Sequence, residues 1–142
     1  MDKPLLGKLG ITKETKLALV SPHIKLNTDI SFSGHMALTA SPSGLGKLTG
    51  QKLDIILVWI DSPANLVDLL EELKIFIKAD GAIWAVIKKK TAYPKGVEQS
   101  VNEMDIIESA KEAGLVDNKI ASISDTEYAF RLVIPIKARG EA

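Results

Sequence analysis

From Leu53 onward the chain alternates strand and helix signals in an order that few folds can accommodate. LDIILVWI (Leu53–Ile60) is apolar almost throughout, as a central parallel strand covered on both faces must be. A capped helical pattern follows, then a second apolar run in GAIWAVIKKK, another capped helical pattern, and two short strands. Strands separated by helices pair in parallel through helical crossovers. The pattern therefore predicts an α/β domain whose ligand-binding loops lie at the carboxyl edge of its sheet.

The details of each element follow from local chemistry. Asp61-Ser62-Pro63 supplies a helix start, with Ser62 as cap and Pro63 in the first turn. Leu66, Leu69, Leu70, Leu73 and Ile77 then recur at helical spacing, Asp80-Gly81 reads as the stop, and Ala82–Ile87 as the next strand. Ser100 and Glu103 form a capping-box pattern, Met104, Ile107 and Ala110 share one face, and Gly114 suits a left-handed stop. Ile120–Ser124 and Tyr128–Ile136 read as strands joined at Asp125-Thr126-Glu127, with Pro135 ending the pairing. Nearer the N-terminus, Lys16–Val20 and His35–Ala40 read as strands. Residues 23–52 are otherwise rich in Ser, Thr, Gly, Asn and Pro, an irregular region with a loop expected at Ser41–Gly50.

The 142 residues fit one domain, 1–142, around a single core. Lys+Arg and Asp+Glu balance at 18 each, so no net field draws the chain to nucleic acid or an anionic membrane. The absence of cysteine excludes disulfides, thiolate metal sites and cysteine nucleophiles. No apolar run is long enough for a membrane span and none reads as a signal peptide, so a cytoplasmic location is the expectation.

The order strand, helix, strand, helix, terminal hairpin resembles the C-terminal half of class I S-adenosylmethionine-dependent methyltransferases. More narrowly, PLLGKLGI, GAIWAVIKKK, AGLVDNKI and ASISD resemble a family of short, uncharacterised bacterial proteins of that general fold. The resemblance covers about two thirds of the chain and leaves His23–Lys52 unmatched. It implies a truncated Rossmann-like, mostly parallel sheet of five or six strands. Helices lie on its faces and an antiparallel C-terminal strand is inserted between two parallel ones.

The chain departs from working methyltransferases where they hold their cofactor. Their first strand is followed by a glycine-rich loop. Here it is followed by Ser21-Pro22-His23-Ile24-Lys25, with no glycine before Gly34. Their second strand is followed by an acidic residue for the ribose hydroxyls, whereas HMALTA runs into Ser41-Pro42-Ser43. About thirty residues separate Val20 from Leu53, roughly what a single crossover unit takes. The expectation is a non-catalytic or cofactor-free methyltransferase-like domain that acts by self-association or by binding a protein partner. The alternative is a small-molecule or nucleotide-binding enzyme, including a S-adenosylmethionine-dependent methyltransferase, with its site at the carboxyl edge.

Candidate ligand-binding residues are those expected at that edge: Ser21, His23, Asp61, Ser62, Lys88 and Lys90. Each has a plainer reading. Asp61-Ser62-Pro63 is explained by a helix cap, and Lys88–Lys90 by a solvated strand end rather than a nucleic-acid patch. His23 and His35 lack the carboxylates and spacing of a metal site or catalytic triad, so no metal is expected. SPSGLGKL at Ser41–Leu48 lacks the first glycine and the final Ser or Thr of a phosphate-binding loop. Trp59 and Trp84 read as core.

Overall fold

A computed structural model of the chain describes residues 7, 9–12, 15–20, 35–39 and 52–136, with 35–39 described at the backbone. The strands are β1 (Lys16–Val20), β2 (His35–Thr39), β3 (Leu53–Trp59), β4 (Ile77–Lys88), β5 (Val116–Ser122) and β6 (Glu127–Val133). The helices are α1 (Leu66–Lys74) and α2 (Glu103–Glu112), with a single 3-10 turn at Lys90–Ala92. They build one six-stranded sheet in the order β2-β1-β3-β4-β6-β5. β1 pairs in parallel with β2 and β3, and β3 with β4. β6 is antiparallel to both β4 and β5, which places the reversed strand between two parallel ones. The α/β architecture expected from the sequence is the one observed. Ser21, His23 and the Ser41–Gly50 loop lie outside the described residues.

One face of the sheet is covered by the helices. Leu66, Leu70 and Leu73 of α1 and Ile106 and Ala110 of α2 are buried against Ile56, Val58, Ile83, Phe130 and Leu132. On the opposite face, Leu9 and Ile11 from the N-terminal segment join Leu17, Leu19, Leu57, Trp84 and Val86. The Trp84 indole N–H donates to the Leu9 carbonyl at 3.1 Å, fastening that segment to the sheet.

Four local expectations are corrected. Ser62 does not cap α1: its hydroxyl accepts the Ala64 N–H at 3.1 Å, while the capping position falls to Asn65 at φ 58° with no side-chain cap. A missing cap costs about 1 kcal/mol. Each of the three buried leucines gains about 1.5–3 kcal/mol, so the helix begins where the leucines begin. The capping box is formed by Asn102 and Asp105, at 2.9 and 3.0 Å, rather than by Ser100 and Glu103. Val101, just before the cap, is buried with Ile106 in the positions of a hydrophobic staple, and this fixes the start. The inner face of α2 is consequently Ile106 and Ala110, and Met104 is exposed. Gly114 does adopt a left-handed φ of 81° after α2.

The fourth correction concerns Ile77, which belongs to β4 and pairs with Leu53 instead of closing α1. Asp80-Gly81 is then no helix stop but part of a bulge. Between paired positions, residues 53 to 55 of β3 face residues 77 to 82 of β4. Gly81 fits there because a Cβ would meet three backbone carbonyl oxygens at 3.0–3.1 Å, those of Asp54, Leu53 and Lys78.

Candidate functional site at the carboxyl edge

Parallel strands end together, so the residues that close β3 and β4 share one edge of the sheet. The antiparallel β6 begins at that same edge, and Lys88, the last residue of β4, is the register partner of Glu127, the first of β6. These three strand ends surround a pocket of about 250 Å³, which is lined by Trp59, Asp61, Lys88, Tyr93, Ser100 and Glu127 over a floor of Ile60 and Val86.

Glu127 is half-buried. Burial pushes its carboxyl above the ordinary glutamate value, while a hydrogen bond from the Trp59 side chain and the charge of Lys88 oppose the shift. The Lys88 ammonium stands 5.3 Å from the centre of the Tyr93 ring, a cation–π distance. Behind the pocket, Gln99 donates to the Lys88 carbonyl at 3.1 Å and hydrogen-bonds Tyr128. Burial first, then the nearby Glu103 and Tyr93, raises the Tyr128 phenol above its usual value against that hydrogen bond. The linker between β4 and α2 is thereby tied to both strands. The pocket offers two carboxyl groups and two aromatic rings, one of which already faces a cation.

Of the residues singled out from sequence, Asp61 and Lys88 line this pocket. Ser62 is exposed and turned to its own backbone, and Lys90 is exposed in the 3-10 turn. Lys89 donates to the Ser122 hydroxyl at 2.8 Å while Lys88 lies by the Tyr93 ring, so the lysines do not converge on one site. Glu127 and Tyr93 were not foreseen. Glu127 reads as a turn residue in sequence, and only the antiparallel register of β6 brings it beside Lys88. Trp59 was expected in the core, and it is half-buried at the pocket wall. Among the described residues no cluster of His, Asp and Glu could hold a metal, and no helix is long and apolar enough to cross a membrane.

The model of one protein family matches residues 44–136, well over half of the chain. The chain belongs to the DUF3052 family. That family is described as of unknown function, so membership assigns no activity to the pocket. No curated protein matches the DUF3052 chain in sequence.

Solved structures match it in fold. A SAM-dependent methyltransferase from Aquifex aeolicus aligns with a TM-score of 0.68 at 12% identity, over 94% of this chain and 89% of the other. Magnesium protoporphyrin IX methyltransferase from Synechocystis PCC 6803, solved with bound SAH, aligns at 0.60 and 10% identity, over 93% and 80%. LepI in complex with SAM aligns at 0.58 and 13% identity over 94% of this chain, which spans only 46% of LepI. At these identities the likeness is one of fold: a methyltransferase-like, Rossmann-type architecture.

Proposed function

We propose that this domain is a cofactor-free binding module built on a methyltransferase architecture. Its carboxyl-edge pocket takes a small molecule bearing an amine or another strong hydrogen-bond donor. The observation that carries this reading is the half-buried Glu127 carboxyl, held between the Trp59 side chain and the charge of Lys88. With Asp61 also on the pocket wall, two carboxyl groups line it against the Lys88 ammonium, and the lining suits a cation or a donor-rich group better than an anion. At about 250 Å³ the pocket is smaller than the roughly 300–1,000 Å³ of typical ligand sites. The sequence after β1 and β2 also lacks the glycine loop and the acidic residue that hold the cofactor in working methyltransferases. The domain would act through what it binds, small molecule or protein partner.

A second reading is methyl transfer. It is favoured by Asp61, which follows the carboxyl end of β3 in a fold shared with methyltransferases. Thermal unfolding with S-adenosylmethionine and with S-adenosylhomocysteine separates the two. A ligand at about a hundred times its dissociation constant stabilises by roughly 2.7 kcal/mol, which for a domain of this size raises the midpoint by about 5–10 °C. We expect no shift with either compound at millimolar concentration. We expect ethanolamine or adenine to move the Trp59 indole resonance, and Glu127→Gln to weaken that response. A midpoint rise with S-adenosylmethionine would overturn the first reading in favour of the second.

A further inference from the structure

The other end of the same sheet face holds a second, larger cleft of about 620 Å³, within the range of metabolite sites. It opens at the amino ends of the parallel strands, remote from the loops where folds of this class bind ligands. One wall is the N-terminal segment, where Gly10 turns at φ 77° and Leu9 is clamped by Trp84. The floor is Trp84, fully buried.

The chemistry of this cleft is bipolar. Leu57, Trp84, Arg131 and Lys119 form one register row across β3, β4, β6 and β5. Cross-strand partners project from the same face, so Arg131 and Lys119 present two cations side by side. Like charges directly opposite each other destabilise a sheet pair. Arg131 is half-buried in the interior of β6, where an apolar residue would fit the neighbouring pattern. Acidic groups do line the far side, yet Asp54 is already engaged. One of its oxygens lies 2.8 Å from the Lys78 ammonium and the other accepts the Lys16 N–H at 2.8 Å. Burial pushes the Asp54 carboxyl up, but these partners pull it further down, below the ordinary aspartate value. Asp80, the second acidic residue of the cleft, adds its charge around Lys78. Among the described residues, no ion pair or hydrogen bond engages the Arg131 side chain.

From this juxtaposition we infer that the amino-edge cleft is a binding site for a small organic anion. Arg131 and Lys119 grip its phosphate or carboxylate, and the acidic far wall receives its hydroxyl or amine donors. A guanidinium matches a tetrahedral or planar oxyanion with two parallel N–H donors, and a neighbouring ammonium adds a point charge.

The two tryptophans make the test specific. Trp84 floors this cleft and Trp59 lines the carboxyl-edge pocket, so their two indole N–H resonances report the two sites separately. The full chain is titrated with inorganic phosphate, glycerol phosphate and serine. The Trp84 resonance should move and saturate with at least one of them while that of Trp59 stays still. Glycerol phosphate binding tighter than phosphate would mark a phosphate-ester site, and serine alone would mark a carboxylate site, with the same residues responsible. Arg131→Gln should weaken binding about tenfold or more, the usual worth of a charge-assisted hydrogen bond, and Lys119→Gln by a smaller factor. Lys119 is exposed, so its variant should fold even if Arg131→Gln does not. No movement of Trp84 with any probe, or binding that Lys119→Gln and a folded Arg131→Gln leave unchanged, overturns the inference. A response at Trp59 alone would do so too, while leaving the carboxyl-edge proposal standing.

Discussion

At the scale of single residues, Glu127 carries the clearest consequence. Its carboxyl is raised by burial above the ordinary 4.5, against the pull of Trp59 and Lys88. A raised acid favours the fold when protonated, and that contribution is lost as pH rises through its folded value. Glu127→Gln keeps the shape of the side chain and removes the charge. Urea midpoints at pH 7 should therefore show the variant at least as stable as the parent. The difference should shrink as pH falls below 4.5, where both side chains are neutral. A variant markedly less stable at pH 7 would mean that Trp59 and Lys88 outweigh burial. This residue was invisible in the sequence as a site, because its neighbours are set by strand register and not by spacing. Asp61 and Lys88 were legible for the opposite reason. The apolar runs before them mark where β3 and β4 end, and strand ends in this fold class gather at one edge.

At the scale of elements, the bulge in β4 is the most demanding feature. Gly81→Ala adds a methyl group against three backbone oxygens at 3.0–3.1 Å, and backbone cannot swing aside as a long side chain can. The expected loss is about 1–3 kcal/mol, the usual cost of overpacking, read as a lower urea midpoint with an unchanged slope. The sequence hid this bulge because Ile77 satisfies two periods at once, closing a run of helical spacing and opening a strand. Only pairing with Leu53 decides between them. The caps show the same competition. Ser62 and Ser100 have the right chemistry, but burial of Leu66 and Val101 is worth more than a capping bond, and the helices start where those side chains reach the core. Element type and order were thus readable from local pattern, whereas boundaries were set by contacts between distant residues.

At the scale of the molecule, the β5 edge bears on the self-association expected from the sequence. Val116 and Ile120 are 40% and 51% exposed there, an apparent invitation to pair with another chain. A register irregularity between Asp117 and Lys119, together with the two charges, opposes it, since bulges and charged side chains are the usual guards of a sheet edge. Any self-association should therefore leave this edge free, and Ile120→Lys should sediment as the parent does. A variant that sediments as a smaller species would assign the interface to β5. The position of β6 has a different reach. Among the described residues β4 and β5 share no ladder, and the sheet joins them through β6, which follows both in sequence. During synthesis from the N-terminus, β5 cannot join this sheet until β6 has left the ribosome. Until then the edge of β4, with its run from Ala82 to Ile87, lacks its ladder partner on that side. This makes the domain's closing step one of long sequence separation, slow by the general rule for non-local pairing. The emerging chain is then most exposed to misassociation in the interval before β6 arrives.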